Sequence, residues 1–320
     1  MKPVPSLHTL MAATAILMIS CGPPDQEKSA ASSTGTRPII AAVNYPLAYF
    51  ATRIAGDFAD ILFEVPAGTD PAFWNPTDDQ VSAIQKADLI LLNGAGYAGW
   101  TSSRIIPYEA TVMTSSAFEN KFIKLKKGIR HTHKSGTESH THQGFASTTW
   151  LDLEQAREQA STTASALIEQ FPEHTEIISA KLEGLLGELL ELDRQMKAAT
   201  ALFQNTPLVV SHPVYQYWAR AYGLSIKSLH WEPSQDLGAQ EMSELAAIRK
   251  SNPSVKHLIW EARPSPPNIT RTEMAGFTSI VVIPCGMKPS KGDFMSVMRE
   301  NIASLKEGLG RESAPSPGSP

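Results

Sequence analysis

Two cysteines in 320 residues leave almost no room for disulfide chemistry, and Cys21 and Cys285 sit in regions of very different character. Basic charge is also scarce. Lys and Arg number 28 against 32 Asp and Glu, for a net charge of −4. The one dense basic stretch, "KLKKGIR" at 124–130, is too short for a nucleic-acid footprint, so no nucleic-acid partner is expected. No apolar run is long enough for a membrane span. No internal repeat is visible, and no nucleophile–base pair or oxyanion arrangement stands out, so the chain does not read as an enzyme. What remains is a chain with 42% hydrophobic residues, enough to bury a sizeable core and long enough for about two domains.

The N-terminus "MKPVPSLHTLMAATAILMISCG" carries a lysine, an apolar run from Leu10 to Ile19, and then Ser20-Cys21-Gly22. The run is the length of a signal-peptide core. A small residue just before a cysteine at its end is the bacterial lipoprotein pattern, in which Cys21 would carry the lipid anchor. An ordinary cleaved signal with an incidental cysteine is the alternative. On the lipoprotein reading residues 1–21 are the signal peptide, the protein lies at the periplasmic or extracytoplasmic face of a bacterial envelope, and the mature chain keeps one thiol, Cys285. Residues 22–37 are small, polar and Pro/Ser-rich, a flexible tether, and 311–320 read as a disordered tail.

The body, 38–310, alternates strands and helices. "PIIAAVNYPLAYFATRIAG" reads as strand, turn and helix, "ADILFEVPAG" as a strand, "PTDDQVSAIQKA" as a helix capped by Thr77, and "DLILLNGAG" as a strand. That β-α-β-α-β order implies a parallel sheet covered by helices. "KFIKLKKGI" reads as a further strand. Residues 151–203 are helical, with Pro172 placed to start a second helix of about 30 residues, roughly 45 Å long. The alternation then resumes over 204–310. The expected fold is α/β: two parallel-sheet lobes, 38–150 and 204–310, joined by a long helical element.

Five segments resemble one known family. "IAGDFADILFEVPAGTDP", "DDQVSAIQKADLILLNGAGYAGW", "TTWLDLEQA", "LVVSHPVYQYWARAYGL" and "GDFMSVMRENIASLKEGL" occur in the order and at the separations found in the cluster A-I periplasmic metal-binding proteins of ABC transporters, the zinc/manganese receptors. The resemblance implies two lobes on one long helix, metal bound between them, and docking of the loaded receptor on a membrane permease. It implies zinc as cargo, with manganese or another divalent transition metal as alternatives, and a monomer. It also implies four ligand segments, of which only one is intact here. Where the family has Asp-Pro-His, this chain has Asp70-Pro71-Ala72. Thr148 replaces the histidine two residues before Trp150. His212 matches. Ile283 stands for the aspartate before Pro284-Cys285-Gly286.

Zinc takes nitrogen, sulfur or carboxylate donors. A rebuilt site would draw on His212, His140, His142, Glu261, Asp70 and Cys285. Each has a plainer reading. His212 could be a core histidine, Glu261 a helix cap or a partner of Arg263, Cys285 a buried hydrophobe and Asp70 the brace of its turn. His230 and Glu232 read as surface residues. Phe73, Trp74 and Trp231 would line the cleft as aromatic walls suited to an organic ligand or metal chelate, or else simply pack. The stretch "HTHKSGTESHTHQ", 131–143, holds His131, His133, His140 and His142 as two i, i+2 pairs. That spacing is neither a helix-face pair nor a zinc finger. It suits a loop that collects metal loosely, His131 and His133 included, or donates histidines to the cleft; a solvated loop with no role is the alternative. A receptor that has become an envelope metallochaperone, or one that takes a metal chelate or small organic ligand, are the competing functional readings.

Overall fold

The computed structural model describes Met1 and residues 36–125, 130–132, 139–141, 144–231 and 235–310. The signal segment with Cys21, most of the tether, the C-terminal tail, and His133, His142 and Glu232 lie outside the described residues.

The first lobe is built from β1 (Ile39–Ala42), α1 (Tyr45–Ala55), β2 (Asp60–Leu62), α2 (Asp78–Gln85), β3 (Leu89–Leu92) and β4 (Thr111–Met113), with all neighbouring strands parallel in the order β2-β1-β3-β4. Asn44 opens α1 by accepting from Leu47 N, and Pro46 sits in the first turn, where its missing N–H costs nothing. Thr77 caps α2 in a reciprocal box with Gln80, as the sequence implies. A short hairpin follows, β5 (Arg130–Thr132) with β6 (Ser139–Thr141).

Next come α3 (Leu153–Gln170) and α4 (Thr175–Thr200), separated by a 3-10 turn at Pro172–His174. The 26 residues of α4 span about 39 Å. Its buried residues Ile178, Leu185, Leu189, Leu192, Met196 and Ala199 recur at spacings of three, four and seven, one apolar stripe along the rod. The buried alanines 156, 160 and 164 of α3 let the two helices pack side by side.

The second lobe contains β7 (Leu208–Val210), α5 (Gln216–Ala221), β8 (Ile226–Ser228), α6 (Ala239–Ser251), β9 (His257–Trp260), α7 (Pro266–Met274) and β10 (Thr278–Val281). Its sheet runs β10-β9-β7-β8, again parallel. Counted from each lobe's first strand, this is the same order as in the first sheet, so the lobes are topological copies without a visible sequence repeat. The last helix, α8 (Phe294–Gly310), packs on α4, and its Phe294 meets Tyr49 and Phe50 of α1 at ring-centroid distances of 5.7 and 5.4 Å. One apolar core therefore runs from the first lobe through α3 and α4 into the second, with a smaller core around Leu245, Leu258 and Trp260 on the second sheet's far side.

Two local expectations are corrected. "KFIKLKKGI" forms no strand over its described residues. A 3-10 segment covers Ser116–Lys121, and Lys124 makes a single antiparallel bridge to Phe145. The fourth strand is instead β4, a three-residue edge too short to show alternation. Helix α7 was also not anticipated, although Ser265 followed by Pro266 and Pro267 is a helix-start signature, and Ser265 does accept from Asn268 N.

Candidate metal-binding cleft

In both sheets the first and third strands of the lobe are neighbours whose outgoing connections diverge, which makes the carboxyl ends of that pair the switch point where open α/β sheets bind ligands. Val210 of β7 pairs with Ile259 of β9. Two residues further on stand His212 and Glu261, with Nδ1 and Oε1 3.9 Å apart. In the first lobe Ala42 pairs with Leu91, and two residues further on stand Asn44 and Asn93, joined by a 3.1 Å hydrogen bond. Matching positions thus carry an imidazole–carboxylate pair in one lobe and a neutral amide pair in the other.

The Asn93 amide anchors a buried polar network. It donates to Gly94 O and to Ser147 O, while its oxygen accepts from Asn44 and Gln159. Gln159 reaches on to Thr114, and Thr149 closes the group by donating to Gln159 Oε1 at 3.1 Å. The network holds the segment 147–149 against the end of β3, which sets one wall of the cleft.

That cleft is a cavity of about 680 Å3 between the lobes. Asp70, His212, Glu261 and Cys285 all line it, and so do Ala72, Thr148 and Ile283. The structure therefore brings to one place every segment from which the resemblance draws a ligand. Asp70 braces its own turn, accepting from Ala72 N at 2.9 Å. Thr148 donates across the cleft to Val214 O at 2.5 Å. Trp150 Nε1 donates to Pro284 O at 2.7 Å, and Tyr45 N donates to Gly286 O at 2.9 Å. Gly286 packs closely at its position, where a Cβ would lie 3.1 Å from the Tyr97 hydroxyl and in contact with Trp150.

Electrostatics separates the donors. Burial, then the nearby Asp293 carboxylate, pushes the Cys285 thiol from 9.0 up to about 12, so it stays protonated at neutral pH. Cys285 also holds φ at +61°, a left-handed conformation costly for a residue with a Cβ. Burial raises the Tyr97 phenol well above its ordinary value, with Asp70 adding to the effect. Tyr215 is raised in the same way by burial and by Glu261. Among the described residues, no group of three or more His, Cys, Asp or Glu is placed to hold a metal ion. The described donors alone do not build the usual four-ligand zinc shell.

Of the aromatic residues expected at the cleft, Phe73 lines it. Trp74 and Trp231 do not. Trp74 is buried edge-on against Trp100 at 5.9 Å, and Trp231 packs at 6.2 Å from Trp260 with its Nε1 donating to Glu244. Tyr97 and Trp150 supply the walls instead, their rings 5.4 Å apart at 76°. The sequence signal for them was the aromatic after a strand-ending Gly-Ala-Gly and the Trp just before α3. His230 is exposed and outside the cavity lining. In the hairpin, His131 is the register partner of His140. Leu125 and Phe145, which flank the His-rich stretch, both line the cavity, and Leu125 N donates to Gly144 O. The stretch is thus rooted at the cleft.

The family described as zinc-uptake complex component A, periplasmic, matches residues 40–308. The high-affinity zinc uptake system protein ZnuA of Bacillus subtilis is 23% identical over 311 residues, 94% of this chain and 96% of its own length. The manganese ABC transporter substrate-binding lipoprotein PsaA of Streptococcus pneumoniae is 24% identical over 327 residues, 97% of this chain and 100% of its own. Among solved structures, Zn(II)-bound AdcA from Streptococcus pneumoniae superposes with a TM-score of 0.71 at 20% identity, over 86% of this chain and 58% of that longer one, a likeness of fold.

Proposed function

Since the chain belongs to the family of periplasmic zinc-uptake complex component A proteins, we propose that it is the extracytoplasmic solute-binding protein of a metal ABC importer, with zinc as its cargo. The observation that carries this is the cleft itself. His212 and Glu261 stand together at the switch point of the second sheet, and Asp70 lies in the lining of the same cavity. Imidazole and carboxylate are donor types that suit zinc, and manganese less closely, and His212 with Glu261 supplies one of each. His131, His133, His140 and His142, on a stretch rooted at the cleft, gather metal and pass it to His212. Cys285, held protonated, serves as a wall residue. Binding and release rather than catalysis is the family's work, and a membrane permease is the partner that receives the cargo. No helix among the described residues is long and apolar enough to cross a membrane. The Ser20-Cys21-Gly22 pattern supports a lipid on Cys21 as the envelope anchor, and the chain acts as a monomer.

The test is zinc affinity and stoichiometry of the purified chain by chelator competition, beside a version lacking 131–143. One zinc per chain, bound ~10–100-fold more weakly in His212→Ala and weakened but retained without the stretch, is the expected result. Weak, multiple binding that disappears with the stretch would instead make the protein a metallochaperone with an inert cleft.

A further inference from the structure

We propose that the cargo enters the cleft not as a bare ion but as a small chelate, a divalent metal already held by an amino-carboxylate molecule that supplies the donors this chain lacks. The inference rests on the metal-receptor reading and specifies its substrate class.

Three observations carry it. First, the volume is wrong for an ion alone. About 680 Å3 falls within the ~300–1,000 Å3 of small-molecule pockets, whereas a tetrahedral ion with bonds of roughly 2.0–2.3 Å to protein needs almost none. Second, the three positions that would close a protein shell around the ion carry Ala72, Ile283 and a Thr148 whose hydroxyl already donates to Val214 O. Those side chains leave the space beside His212 and Glu261 to something else. Third, the rest of the lining fits an organic body with polar ends. Phe73, partly exposed, offers an aromatic face. Lys288, exposed at the same lining, offers a cation to a ligand carboxylate. Metal at the His212–Glu261 end and a ligand carboxylate toward Lys288 use the polar groups of the lining.

Free histidine is the probe, because the two kinds of site respond to it with opposite sign. At a bare-ion site histidine competes, and apparent zinc affinity falls as it is added. At a chelate site histidine completes the cargo, and affinity rises. The purified chain is titrated with zinc alone, with zinc plus L-histidine, and with zinc plus citrate, which has no amine. Bound zinc and bound histidine are counted after desalting. The expected result is a rise of at least tenfold in apparent zinc affinity with histidine, one histidine retained per zinc, and a fall with citrate. Lys288→Ala should lower the histidine-dependent rise at least threefold. Ala72→His, Thr148→His and Ile283→Asp together should rebuild a protein shell and turn histidine into a competitor. Tight 1:1 zinc binding that histidine only weakens would overturn the chelate and leave the metal receptor standing. Retention of neither zinc nor zinc–histidine would overturn the receptor reading itself.

Discussion

His212 and Cys285 share one cavity and differ in what each must do before it can bind a metal. A neutral imidazole is already a ligand, whereas a thiol must first lose its proton, and burial opposes that loss. His212→Ala should therefore reduce zinc affinity by a factor of ~10–100, as loss of a metal-site residue commonly does, and Cys285→Ser by less than threefold; competition titration separates the two. The thiol also predicts a pH response. Its folded value, about 12, lies above the ordinary 9.0. In the range between, the unfolded chain has released a proton that the folded chain keeps, so unfolding binds fewer protons and stability falls as pH rises. Denaturant titrations from pH 8 to 11 should show that loss, and Cys285→Ser should remove part of it. A thiol reagent at pH 8 should modify the folded chain slowly and the denatured chain fast. A thiol that reacts equally in both would contradict the burial argument.

The long helix α4 and the Asn93 network are the elements that set the cleft. Leu189, fully buried on the α4 stripe, belongs to the core that runs between the lobes. Leu189→Ala should cost ~2–5 kcal/mol by cavity formation, read from denaturant midpoints. Thr77→Ala, which breaks the α2 capping box, should cost only ~1 kcal/mol. Asn93→Ala acts differently. It leaves the buried Asn44 amide N–H without its partner at ~1–3 kcal/mol, removes one bond each from Ser147 O and Gln159, and loosens the segment that carries Thr148. Zinc affinity should fall along with stability in Asn93→Ala, while Thr77→Ala leaves it unchanged. Most of these elements were legible from pattern. The α4 stripe, the Thr77 cap and the strand runs Ile39–Ala42 and Leu89–Leu92 each satisfy one local rule. The edge strand β4 and the failed strand at "KFIKLKKGI" were not legible, because a three-residue strand is specified by its neighbour Ile90–Leu92 rather than by its own side chains.

At the scale of the whole molecule, the lobes are tied twice by chain, through α4 and by the return to α8, and again by the Thr148–Val214, Trp150–Pro284 and Tyr45–Gly286 hydrogen bonds across the cleft. Such cross-bracing leaves little freedom for a hinge. Cargo binding should raise the melting temperature by mass action, yet change the radius of gyration in solution scattering by far less than the more than 2 Å rearrangements of hinge-closing proteins. A large compaction on loading would show that the cross-cleft bonds are not maintained in solution.

The sequence by itself determined the two-lobe α/β plan, the long helix and the departures Ala72, Thr148 and Ile283, because periodicity, caps and ordered segments are local properties read along the chain. Only the tertiary structure decided which residues face one another. His212 and Glu261 are 49 positions apart, and register between β7 and β9 makes them neighbours. The same packing took Trp74 and Trp231 away from the cleft and set Tyr97 and Trp150, themselves almost fully buried, at its border. An aromatic side chain buries comparable apolar area in a core or in a pocket, so its composition carries no address. The address comes from the backbone on which it stands.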